Sequence, residues 1–173
     1  VKLSECIVRD VVSKGRDAPA QPVLPGMDLL PTTFSLIDLD ECYEAEVDHP
    51  PYAIFQEQLA EVEDEYDFIL FDCPPNILSA SSCGIFNSNE IYVPSNPDAL
   101  SLIGFTLLAE KLAIFYKQSA RFRNVNMGPV AQIRGIIFNS IKSNVNIESA
   151  KLRTQVRMNQ LKGKGVVSRD VRI

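Results

Sequence analysis

The chain has 173 residues, 46% of them hydrophobic and 23% charged, and carries a net charge of −5 at neutral pH. That length suits one domain with a real core, and the acidic balance argues against a surface that binds polyanions as a whole, though not against a local basic patch. Its four cysteines form no C-x-x-C pair and its one histidine offers little for zinc, so they read as reduced thiols of a cytosolic protein; no apolar run approaches the ~20 residues of a membrane span, and no signal peptide is visible.

In chain order, "VKLSECIVRDVVSKG" predicts a helix closed by Gly15, and the Pro-rich "DAPAQPVLPG" a loop. "MDLLP" predicts a short strand ended by Pro31. "SLIDLDECYEAEVDHPP" is polar and acidic, with Pro50 and Pro51 as a stop. "YAIFQEQLAEVEDE" sets Ile54, Phe55, Leu59 and Val62 at helical spacing, with "EVEDE" as its solvated surface. "FILF", Phe68 to Phe71, predicts a strand covered on both faces and ending at Asp72. "NILSASSCGIFNSNE", rich in Ser and Asn around Gly84, reads as a weakly helical connector. "EIYVP" predicts a second buried strand ended by Pro94. "DALSLIGFTLLAEKLAIFYKQ" predicts a long amphipathic helix with Asp98 as its N-cap. "IRGIIFNS" reads as a buried strand, "NIESAKLRTQVRMNQL" as a polar helix and "GVVSRD" as a last short strand. "LKGKGVV", Leu161 to Val167, lacks a Ser or Thr after Gly-Lys and enters a strand rather than leaving one. It reads as a turn with Lys162 and Lys164 solvated, not as a phosphate loop.

Strands apolar on both faces that alternate with helices predict an α/β fold, a mostly parallel sheet between helices. Such sheets bind ligands beyond the carboxyl ends of their strands. Asp72 is expected at that edge, where a carboxylate can hold hydrated Mg²⁺ beside phosphates. On these residues alone, a capping aspartate at the start of a loop is an equal alternative.

"EYDFILFDCPPN" resembles the hydrophobic-Asp-Cys-Pro-Pro segment of the ParA/MinD (SIMIBI) group of deviant P-loop ATPases. "NSNEIYVPSNPDALSLIGFTLLAEKL" is similar to that group's stretch of strand, proline, short loop and long helix, with Pro94, Leu100 and Gly104 in matching places. "PGMDLLPTTFSLIDLD", "GPVAQIRGIIFNSI" and "VVSRDVRI" resemble, in order, further segments of the family. The resemblance covers nearly the whole chain and points to the ParA/Soj-like partitioning branch. It implies a P-loop NTPase-like three-layer architecture and a single nucleotide-binding domain over residues 1–173. The family's Gly-rich loop with two lysines and its C-terminal helix have no counterpart here. The chain is therefore expected to be an interior piece, incomplete at both ends.

The resemblance implies ATP and Mg²⁺ as cofactors. Asp72 would hold Mg²⁺ through water, and Pro74 and Pro75 would begin a switch segment whose order depends on the nucleotide. Asn139 would contact the adenine or cap a turn, and Arg169 and Asp170, after the last strand, would flank the base. The segment around Gly84 would lead into a helix at a nucleotide-dependent dimer face. Cys73 reads as a small buried residue. Lys117, Arg121, Arg123, Lys151, Arg153 and Arg157 are candidates for non-specific DNA binding, or a solvated face. The implied protein is a cytoplasmic, nucleoid-associated homodimer that positions a plasmid, chromosome or other cargo, with a ParB-like partner that stimulates hydrolysis. Without the P-loop lysines, residues 1–173 are expected to bind ATP poorly and not to hydrolyse it. The alternatives are a MinD-like membrane-cycling regulator, marked by an amphipathic C-terminal helix; a binding module of the same fold without catalysis; and an ATP-using amidoligase or synthetase.

Overall fold

The computed structural model describes residues 2–9, 11, 26–32, 49–74, 77–139, 141 and 146–173. Gly15, the Pro-rich stretch up to Pro25, Cys42 with the acidic segment around it, and Pro75 lie outside the described residues. The chain divides into two compact units, Val1–Leu70 and Phe71–Ile173.

In the first unit, α1 spans only Leu3–Cys6. The helix expected to run to Gly15 is cut at Ile7, whose backbone is extended (φ −74°, ψ 124°). Val8 and Leu29 then exchange backbone hydrogen bonds of 2.8 and 2.9 Å. β-branched residues such as Ile7 and Val8 favour extended backbone, and the pair with Leu29 supplies the hydrogen bonds that a further helical turn would have made. "MDLLP" contributes that one antiparallel bridge rather than a strand. α2, Pro51–Leu59, is the first part of the expected helix, with Pro51 in its first turn, where a missing N–H leaves no helical bond unmade; "EVEDE", expected as the surface of the same helix, lies beyond its end, with Glu63–Glu65 in a separate 3-10 turn. Among the described residues of this unit, Leu3, Leu59 and Val62 are the buried apolar side chains.

"FILF" departs furthest from expectation. Phe68 is 86% exposed, Leu70 is 91% exposed, and neither lies in a strand. An apolar run becomes a central strand only where neighbours accept its backbone groups on both edges. Among the described residues no strand pairs with this run.

In the second unit, α3 spans Ser79–Asn87, β1 Glu90–Ser95, α4 Ala99–Ser119, β2 Gln132–Phe138, α5 Ile147–Leu161 and β3 Val167–Arg172. The three strands form an all-parallel sheet in the order β1-β2-β3. Crossovers of this kind are right-handed, which sets α4 and α5 on one face, where Arg157 on α5 donates to Thr106 Oγ1 on α4 at 2.8 Å. The local signals are sound. Asp98 caps α4 by accepting from the Ser101 N–H at 2.7 Å, and Asn146 caps α5 by accepting from Ser149 at 2.9 Å. Gly165, with φ of 75°, makes the left-handed turn into β3, as "LKGKGVV" implied. Its lysines are engaged rather than simply solvated: Lys164 pairs with Glu110 at 3.2 Å, and Lys162 donates to the Arg169 carbonyl at 3.0 Å.

Phe105, Ala109, Leu112 and Phe115 form the buried apolar stripe of α4, and Phe86, Ile133, Met158, Leu161, Val166 and Val167 are among the other buried core residues. The other face of α4 leaves Leu100, Ile103, Leu107 and Ile114 exposed. With the turn after it, this helix is 24 residues long and apolar enough, by length and composition, to cross a membrane, which corrects the expectation that no segment approaches such a span. Its role as the crossover between two adjacent parallel strands ties both its ends to one sheet, and Glu110 in its middle is ion-paired to Lys164.

Candidate functional site

Asp72 is exposed and stands in irregular backbone between Phe71 and Pro74. It does not end a strand, so the expected placement at a sheet edge is corrected. The segment is instead seated on α3. A Cβ built on Gly84 would lie 2.9 Å from Cys73 Sγ and 3.0 Å from Phe71 Cβ, so both neighbours of Asp72 pack against the bare backbone of that glycine. Ser81 Oγ donates to the Pro74 carbonyl at 3.4 Å. Cys73 is exposed overall rather than buried. Its thiol is nevertheless pushed up, first by the protein packed around it and then by the charge of Asp72.

No group of three or more His, Cys, Asp or Glu side chains is arranged to hold a metal among the described residues. Mg²⁺ keeps several waters and takes one or two carboxylates plus phosphate oxygens. A lone, exposed carboxylate such as Asp72 fits that mode and does not fit a cage made of protein alone.

The sheet places a second candidate. Asn139 follows β2 at its carboxyl end, and its N–H donates to the Ser95 carbonyl, the last residue of β1, at 2.9 Å. Arg169 and Asp170 do not follow the last strand. They lie inside β3, exposed, because the strand runs on to Arg172, which pairs with Gly135. Asp170 faces Arg134 at 3.8 Å.

The six basic candidates divide by what they touch. Lys117 and Arg121 are exposed, with the Arg121 guanidinium 4.6 Å from the Phe122 ring centroid. Lys151 pairs with Glu148 at 3.4 Å, and Arg153 reaches Ser149 Oγ at 3.4 Å. Arg157 holds Thr106 and Gln160, each at 2.8 Å. Arg123 is a clasp. It donates to the carbonyls of Phe86, Met127, Gly128 and Pro129 at 2.8 to 3.3 Å and stands 5.2 Å from the Phe86 ring centroid. Burial depresses its pKa without neutralising it. Neither this clasp nor the Gly84 seat was foreseen. The glycine inside a short helical pattern was the one available signal.

A parallel sheet with helical crossovers defines an α/β protein. Comparisons with known proteins narrow this. Residues 3–126 match a family model described as an AAA domain. A ParA family protein of Mycoplasma pneumoniae is 26% identical over 125 residues, and one of Mycoplasma genitalium is 27% identical over 124; each alignment covers 69% of this chain and 44% of the relative. The chromosome-partitioning ATPase Soj of Treponema pallidum is 37% identical over 84 residues, which is 49% of this chain and 30% of that protein. The chain belongs to this AAA-domain family, and the relatives it matches there are ParA-like. It spans less than half the length of these relatives.

Proposed function

We propose that this chain is part of a ParA-like ATPase that positions DNA or another cargo by ATP-dependent dimerisation, non-specific DNA binding and a ParB-like partner. The observation that carries the reading is the ordered family match over residues 3–126, which contains the Asp-Cys-Pro motif with its aspartate exposed. In this reading Asp72 holds Mg²⁺ through water beside the nucleotide phosphates, and Pro74 and Pro75 open a segment that responds to the nucleotide. Mg²⁺, when bound, offsets the charge that develops on the transferred phosphoryl group. Asn139 lies where a base would meet the carboxyl edge of the sheet; Arg169 and Asp170, inside β3, are weaker candidates for that contact. Lys117, Arg121, Lys151 and Arg153 are the basic side chains that best suit phosphate contact, since Arg123 and Arg157 already hold protein groups. The protein works in the cytoplasm on the nucleoid.

Residues 1–173 contain no Gly-rich loop with paired lysines, so ATP should bind weakly and not be hydrolysed. The test is calorimetric titration of ATP with and without Mg²⁺ into the protein and into Asp72→Asn. Weak binding that Mg²⁺ strengthens, and that Asp72→Asn leaves insensitive to Mg²⁺, supports the reading. Equal Mg²⁺ dependence in both proteins, or no Mg²⁺-dependent binding in either, overturns the site. Turnover of ATP by residues 1–173 overturns the role given to the missing lysines. A gel shift with random-sequence DNA checks the second half: it should need ATP and weaken steeply with salt.

A further inference from the structure

We propose that Gly84 is a positioning residue for Asp72: α3 presents one bare backbone position, and Phe71 and Cys73 sit on it, which fixes the carboxylate between them. The inference rests on the reading of Asp72 as the residue that holds Mg²⁺ beside the nucleotide.

Backbone geometry does not demand a glycine here. Gly84 lies inside α3, and among the described residues the glycines of positive φ are Gly26, Gly128 and Gly165. Glycine in the body of a helix is the poorest choice except proline. Space is what demands it. An added Cβ would meet Cys73 Sγ at 2.9 Å, Phe71 Cβ at 3.0 Å and Phe71 Cγ at 3.3 Å, all short of the 3.5–4.0 Å or so at which carbon atoms rest in contact. The sulfur can swing away about one bond. Phe71 Cβ is fixed to its own backbone and cannot, so relief needs movement of a main chain.

One of the two chains is the more firmly held. On α3, Phe86 is 2% exposed and Ile85 8%. Arg123 grips the Phe86 carbonyl at 2.8 Å, adding a cation near the C-terminal end of the helix. Of the opposing residues, all in irregular backbone, Phe71 is half-buried and Asp72, Cys73 and Pro74 are exposed. A side chain at position 84 therefore displaces the acidic segment rather than the helix. Asp72 moves with it, because the residues on both its sides are the ones struck.

The experiment uses protein in which Cys6, Cys42 and Cys83 are replaced by serine, so that Cys73 alone reports. Its rate of reaction with a disulfide reagent such as DTNB is measured in the Gly84 parent and in Gly84→Ala, with no nucleotide present. Calorimetry then gives the ATP affinity of each with and without Mg²⁺. Gly84→Ala should react several-fold faster and lose the strengthening of ATP binding by Mg²⁺, while its Mg²⁺-free affinity stays at the parent value. Cys73→Val, which crowds the same contact from the other side, should lose the Mg²⁺ effect too and serves if Gly84→Ala does not fold. An unchanged labelling rate in Gly84→Ala overturns the seat. Faster labelling with the Mg²⁺ effect intact overturns its link to Asp72. Asp72→Asn separates the two levels: if it retains the Mg²⁺ effect, the site reading itself fails and this proposal with it.

Discussion

The two units of this chain are held by different physics. In Phe71–Ile173, order comes from a parallel ladder and a dry core, with Ile133 and Leu112 fully buried. In Val1–Leu70, beside a small apolar cluster, the described residues are tied by a polar network whose Arg9 and Glu65 are exposed and whose Asp28 and Tyr66 are half-buried. Arg9 donates to Asp28 and to Glu65, each at 2.8 Å, and to Tyr66 Oη at 3.0 Å, while Tyr66 donates to Asp28 at 2.8 Å. Apolar burial is non-directional and is not screened by salt, whereas an exposed ion pair is screened and worth little alone. The first unit should therefore yield to conditions that leave the second intact.

The strongest way to break the contrast is to hollow the second unit. Ile133→Ala removes a fully buried side chain from the central strand, and should lower the stability of that unit by about 2–5 kcal/mol, read from urea unfolding. Arg123→Ala comes next, at about 1–3 kcal/mol, since it strands carbonyls that now share one guanidinium. Arg123→Lys should recover little of this, because an ammonium lacks the planar fork. In the first unit, Arg9→Ala should speed hydrogen exchange at the Val8 and Leu29 amides. Added salt should bring the unaltered protein toward the same rates, and rates insensitive to salt would erase the contrast. The smallest effect concerns the N-cap of α4. Backbone and side-chain hydrogen bonds from Ser101 hold the Asp98 carboxyl below the usual aspartate range. Its stabilisation is thus complete above the unfolded-state pKa and is lost as pH falls through the lower folded value. Asp98→Ala should flatten that acid limb of the stability curve.

What the sequence showed followed how local the cause was. α4, β2, α5 and β3 were legible because each is set by its own periodicity and by caps such as Asp98 and Asn146, three residues from the amides they bind; β1 is a strand as expected but not the buried one expected, since it has a neighbour on one side only among the described strands and none of its residues is buried. "FILF" failed because pairing is a property of two segments, and its own composition says nothing of the second. The clasp of Arg123 was hidden for the same reason, since the Phe86 carbonyl it grips is 37 residues back along the chain. Arg169 and Asp170 were misplaced by a boundary: β3 continues because Gly135 gives Arg172 a partner. At the candidate site the motif itself was readable and the family it resembles was the right one. Its placement on α3 was not, because Gly84 acts through what it lacks.

The exposed "FILF" run has a colloidal consequence. Phe68 and Leu70 stand almost wholly in solvent within a short, β-prone, proline-free segment, the composition from which strands of separate molecules stack. Asp67 and Asp72 flank it as charged gatekeepers. Neutralising Asp72 lowers the repulsion between chains that meet along this segment. Asp72→Asn should scatter more light than the parent as protein concentration rises, so its nucleotide binding is best compared in dilute, monodisperse samples.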